Sequence, residues 1–163
     1  MFKIGDCVVY PMHGAGVIEG IEEKEFLGQV EQYYILRMPY GGEMKVMIPV
    51  SKIDNLGIRG TIELNSVERV LQILRHEKER QSESWNKRYR DNLDKLKGGD
   101  IYQVADVVGE LLYFEREKGL STGERKMYDT AKHILVSELL LVGASGEEEL
   151  EKLLTSLSKK ASS

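Results

Sequence analysis

The sequence predicts an α+β protein of two domains: a small Tudor/SH3-like β-barrel over residues 1–64, then an all-α helical bundle of about five helices over residues 65–163. Three observations predict it. Up to about residue 62 the apolar segments are short, β-branched and broken by glycine. After residue 64 the apolar period becomes that of helices. Helix start and stop signals cluster in this second part.

The strand candidates are CVVY, GVIEGI, QYYILRM and MKVMIPV, rich in Val, Ile and Tyr. The turn formers His13-Gly14, Gly28 and Gly41-Gly42 separate them. Partial alternation at Val17, Glu19 and Ile21, and again over Met44–Ile48, fits strands with one buried face. Four or five strands in about 60 residues suit a small, strongly bent barrel better than an open sheet. Pro11 and Pro49 fall at strand ends, where a missing amide donor does least harm.

Capping-box spacing follows at Asn65-Ser66-Val67-Glu68, Ser121-Thr122-Gly123-Glu124 and Ser145-Gly146-Glu147-Glu148, with a related start at Asp100 and Gln103. Apolar stripes run through Val67, Val70, Leu71 and Leu74, and through Ile101, Val104, Val108 and Leu111. Two more run through Met127, Ala131, Ile134 and Leu135, and through Leu150, Leu153, Leu154 and Leu157. Gly98-Gly99, Lys118-Gly119 and Gly143 are the expected stops. The stretch HEKERQSES has no apolar residue and reads as a connector around residues 76–83, or as a frayed helix end.

Composition narrows the function. The chain has 163 residues, 41% hydrophobic and 31% charged, a soluble globular balance. It shows no basic leader with an apolar core, and no run approaching the ~18 apolar residues of a membrane span. One cysteine, Cys7, cannot form an internal disulfide. A cytoplasmic protein is expected, with no membrane partner. The three histidines lie far apart without metal-binding spacing, and Gly14-Ala15-Gly16 leads into a strand, where a phosphate loop would need a helix. No catalytic, metal or cofactor constellation emerges, so a non-enzymatic binding role is favoured by elimination.

The net charge of −4 argues against indiscriminate nucleic-acid binding, but it hides an asymmetry. Residues Met1–Val67 carry a balance of −3, whereas Ser84–Lys97 carry +3. That basic stretch, SWNKRYRDNLDKLK, also holds the single tryptophan. At 100° per residue, Trp85, Tyr89, Leu93 and Leu96 fall within an arc of about 80°. Arg90 and Lys97 flank the arc on one side, Arg88 and Lys95 on the other. Trp85 could begin a core stripe. Equally, an aromatic at a helix tip among cations suits stacking or wedging against nucleic acid. The residues alone leave both open.

The opening FKIGDCVVYPMHGAGVIEGIE, with EQYYILR and IPV, together with SWNKRYRDNLDKLKGGD and EKGLSTGERKMYDTAKHILVSEL, resembles the CarD/CdnL family of bacterial RNA polymerase-binding transcription regulators. The likeness extends to about residue 142. It implies a Tudor-like domain docking on the polymerase β subunit, and a helical domain touching promoter DNA at the upstream edge of the melted region. The family's wedge tryptophan maps to Trp85, and its phosphate contacts to Lys87, Arg90 and Arg125, with Arg88 and Lys126 as further candidates. The first-turn amides around Arg125 could face a phosphate. Polymerase contacts map to Lys24 and Met47. Because Met47 is not basic, an apolar contact is expected there, alongside main-chain pairing at a strand edge. DNA recognition without strong sequence specificity is implied, since no base-reading helix-turn-helix is visible. The competing reading is a protein–protein adaptor with no DNA role, in which Trp85 is core.

Overall fold

A computed structural model describes residues 1–76 and 84–159. Most of the connector expected around 76–83 lies outside the described residues. The strands are β1 (Cys7–Tyr10), β2 (Gly14–Phe26), β3 (Gln29–Met38), β4 (Met44–Pro49) and β5 (Arg59–Gly60). They pair antiparallel in the order β4-β3-β2-β1-β5, which leaves β4 and β5 as the edges. This is the Tudor-like domain the strand pattern predicts. β2 runs five residues past the expected GVIEGI, through a bulge between Ile18 and Gly20. Beyond the bulge it and β3 form a hairpin whose residues 21–30 are all exposed.

The helices are α1 (Val67–Arg75), α2 (Trp85–Gly98), α3 (Ile101–Glu117), α4 (Thr122–Leu141) and α5 (Glu147–Leu157). The Ser121 box forms as expected: the Glu124 amide donates to Ser121 Oγ at 3.2 Å, and the Ser121 amide donates to Glu124 Oε1 at 3.4 Å. Asp100 accepts the Tyr102 and Gln103 amides. The other two boxes do not form. A 3₁₀ turn, Leu64–Ser66, leads into α1, and Ser66 makes no side-chain cap bond. α5 is capped by Gly146, so Ser145 stands one residue too early.

Two cores coexist. The barrel core gathers Val8, Ile18, Tyr34, Leu36, Met38, Ile48 and Ile58. The helical core gathers residues from all five helices and also Val9 and Ala15. Adjacent strand residues point to opposite faces, so Val8 enters one core and Val9 the other. The barrel therefore uses its second face against α4.

Polar bonds lock this junction. Arg59 of β5 forms a two-pronged ion pair with Glu138 of α4, at 2.8 Å from Nη1 and 2.7 Å from Nη2. Its Nε donates to the Gly99 carbonyl at 2.7 Å, and the Ile62 amide donates to Glu138 Oε2 at 2.8 Å. Glu138 is fully buried, so these donors replace the water it gave up. Nearby, the Ala15 amide donates to Ser137 Oγ at 2.9 Å. Gly14 has φ of +110°, and a Cβ there would lie 2.8 Å from His133 Nε2, so only glycine suits both backbone and neighbour.

Candidate nucleic-acid interface

The line of α2 that packs inward is not the apolar arc read from the sequence. Its buried residues are Arg88, Asn92 and Leu96, spaced four apart along one face. On the 100° wheel that face is centred on Asn92, about 60° from the centre of the apolar arc at roughly Tyr89. The cause lies in what α3 and α4 present. Arg88 sits with its guanidinium carbon 4.3 Å from the Phe114 ring centroid and its Nη2 3.6 Å from Glu124 Oε2. Asn92 interacts with Glu110, and Lys95 Nζ bonds Asp106 at 2.8 Å. A polar seam turns the helix, and Trp85, Tyr89 and Leu93 move toward the rim.

Trp85 is accordingly 42% exposed, not core. Its ring stacks on Tyr89, with centroids 5.0 Å apart and planes 19° apart. Gly123 of α4 lies beneath the pair: a Cβ there would be 3.8 Å from Trp85 Cζ2 and 3.6 Å from Tyr89 Cε2. The Trp85 side chain, whose sole polar hydrogen is the indole N–H, also interacts with the Glu124 carboxylate. Glu124 is itself buried, in contact with Ser121 and Arg88. Burial pushes its pKa up; the bonds from Trp85 and Ser121 and the charge of Arg88 push it down further, so it lies below the ordinary value of 4.5. One face of the indole is backed and the remainder meets solvent.

Four of the expected cations are exposed on the two helices that meet at Trp85. Lys87 and Arg90 are exposed on α2, Lys87 also lying 3.6 Å from Asp91. Arg125 and Lys126 are exposed on the first turns of α4, which the Trp85–Gly123 approach brings beside α2. Arg125 bonds Glu115 at 2.8 Å while its side chain stays 53% exposed. Arg88 does not join this surface. It is 7% exposed, and its charge is directed inward to Glu124, so it is a structural residue where the sequence suggested a phosphate contact. The amides near Arg125 are also engaged: that of Glu124 by Ser121 Oγ, and that of Arg125 by the Ser121 carbonyl at 2.9 Å. Neither is available to a phosphate.

Lys24 and Met47 lie apart from this corner, on the barrel. Both are exposed. Met47 pairs with Ile35 on the edge strand β4, whereas Lys24 pairs with Glu31 in the hairpin. Ile35 pairs with Gly20, so Lys24 stands four residues further along β2, about 13 Å at the usual strand rise. The two do not form one cluster.

Among the described residues, no grouping of His, Cys, Asp and Glu could hold a metal ion, and no helix is long and apolar enough to cross a membrane. A cleft of about 280 Å³ where barrel meets α4 is lined by Tyr10, His13, Met38, Tyr40, Met44 and His133 among others, and is mostly apolar.

Residues 2–62 match the family described as "CarD-like/TRCF RID domain", and residues 69–155 match "CarD, C-terminal domain". A relative from Bacillus subtilis (strain 168), bearing the name "Putative transcription factor YdeB", is 43% identical over 151 residues, which cover 93% of this chain and 98% of that protein. The solution NMR structure of the 72-residue N-terminal domain of Myxococcus xanthus CarD is 32% identical, covering 37% of this chain and 79% of that one, with a TM-score of 0.32.

Proposed function

The chain belongs to the CarD/CdnL family of transcription factors, and from that premise we propose that it bridges RNA polymerase and promoter DNA and stabilises the melted promoter. The barrel, over residues 1–64, docks on the polymerase β subunit, with Lys24 supplying a cation, Met47 an apolar contact, and the unpaired edge of β4 a site for main-chain pairing. The helical domain, over residues 65–163, meets DNA at the upstream fork of the bubble. There Trp85 wedges into the minor groove, and Lys87, Arg90, Arg125 and Lys126 neutralise phosphates on either side. Association with the nucleoid follows through polymerase.

One observation carries the reading: the Trp85 ring is exposed and stacked on Tyr89, at the start of a helix that also carries exposed Lys87 and Arg90. The adaptor alternative needs this ring in the core. The magnitudes agree with a bridge. A few phosphate contacts give only weak, salt-sensitive binding. Tethering through polymerase raises the effective DNA concentration toward about millimolar, so weak contacts suffice. A stacking or wedging aromatic adds ~1–3 kcal/mol, worth roughly a ten- to hundredfold change in open-complex lifetime.

The test is the dissociation lifetime of open complexes formed by the cognate polymerase with no factor, with the wild-type chain, and with a folded Trp85→Ala variant. A longer lifetime with wild type alone supports the wedge. No change with wild type bound to polymerase returns the adaptor reading.

A further inference from the structure

We propose that Glu124 is a positioning residue for Trp85, its buried carboxylate fixing the indole by the N–H edge while its pairing with Arg88 holds α2 at the roll that keeps the ring outside the core. The inference rests on the wedge reading above and deepens it, because it says what sets the wedge's angle.

Consider what the indole would do without this group. Stacking on Tyr89 leaves the ring free to slide and to turn in its own plane, since aromatic stacking is broad in geometry. A hydrogen bond at one edge removes that freedom, and a bond to a charged acceptor is stronger and more directional than a neutral one. Glu124 can serve because other contacts fix it first. It is the fourth residue of the Ser121 capping box, so its side chain already bends back over the start of α4. Arg88 approaches it at 3.6 Å, with Phe114 on the far side of the guanidinium. The order Phe114, Arg88, Glu124, Trp85 thus runs from the interior to the rim across α3, α2 and α4. Among the described residues, Arg88 Nε has no hydrogen-bond partner, so this guanidinium is held by Phe114 and Glu124 and not by a saturated polar cage. Arg88 also balances the carboxylate's charge, which would otherwise face the incoming phosphates. A wedge gains from such prior ordering, because a ring already fixed loses less freedom when it enters the groove.

The test is a double-mutant cycle in the full chain with cognate polymerase, using Glu124→Gln, Trp85→Phe and the two combined. Trp85→Phe keeps a flat ring and deletes the N–H. Glu124→Gln should shorten the open-complex lifetime roughly fivefold when tryptophan is present, the scale of weakening one charged hydrogen bond. It should have a clearly smaller effect in the Trp85→Phe background, where only the pairing with Arg88 is left to lose. Ser121→Ala separates capping from positioning: it removes the Oγ bonds but keeps the Ser121 amide on the carboxylate, and should shorten the lifetime less than Glu124→Gln. Equal losses from Glu124→Gln in both backgrounds, or an equal loss from Ser121→Ala, would overturn the proposal. Should Glu124→Gln fold poorly, the wild-type chain still decides the contact, since its single tryptophan gives one indole N–H resonance. Slowed hydrogen exchange at that signal is expected; exchange as fast as free indole overturns the proposal. If wild type leaves the lifetime unchanged, the wedge reading itself fails, and the positioning role falls with it.

Discussion

Removing the Arg88 side chain, which lies between Phe114 and Glu124, would leave the buried Glu124 carboxylate without its counter-charge, and a stranded buried charge costs about 3 kcal/mol. Arg88→Ala should therefore lose that much stability by chemical denaturation, whereas Arg90→Ala, two residues on and exposed, should stay within about 0.5 kcal/mol. The two should differ in the opposite sense in DNA contact, with Arg90→Ala reducing the salt dependence of complex lifetime. A pH prediction follows from Glu124. Its folded pKa lies below 4.5, so the stability it contributes is present above the unfolded value and is lost as pH falls through the folded one. Tryptophan emission and quenching should stay constant from neutral pH to about 5, change only below the ordinary carboxylate range, and lose that acid step in Glu124→Gln. At this scale the sequence was half legible. It singled out Trp85, which the fold leaves exposed, but it assigned Arg88 outward, because nothing in a helix's own pattern reveals that α4 offers a buried glutamate to meet it.

Along α2 the apolar residues define an arc, yet the helix buries the neighbouring arc of Arg88, Asn92 and Leu96. The apolar period identified the element, and its roll came from polar partners on α3 and α4. The β2–β3 hairpin illustrates another limit. Past Ile21 the alternation that marks a half-buried strand disappears, because neither face is covered there, and cross-strand pairing alone carries the ladder to Phe26 and Gln29. At its tip Leu27 takes φ of +52° before Gly28 at +79°, while remaining 87% exposed. A two-residue hairpin turn of this hand favours Asn-Gly, and a bulky residue in the left-handed region costs on the order of 1 kcal/mol. Leu27→Asn should raise the unfolding free energy by about that amount, read as a higher denaturant midpoint at unchanged slope. The capping signals divide in the same way. Ser121 and Asp100 act where the sequence placed them, whereas Ser145 does not, because α5 begins one residue later.

The whole molecule should unfold as one unit. Val9 and Ala15 of the barrel belong to the helical core, and Glu138 gathers Arg59 and the Ile62 amide around a buried carboxylate. Calorimetry should give a single transition whose calorimetric and van't Hoff enthalpies agree. Glu138→Gln weakens the clamp and leaves Arg59 without its counter-charge; it should lower stability by about 3 kcal/mol and speed hydrogen exchange at the Ile62 amide. Two domains were legible from the change of period near residue 64, but their shared core was not. CVVY reads as an ordinary strand, and only the assembled fold sets α4 against the face of β1 and β2 that carries Val9 and Ala15. That clamp carries a further meaning for the proposed complex. A chain joined this way behaves as a caliper of fixed span. With one jaw on polymerase, Trp85 can reach only one base-pair step, and the ease of unstacking that step, greatest for pyrimidine–purine pairs, would rank promoters. Selectivity would then arise from a length, without any base being read.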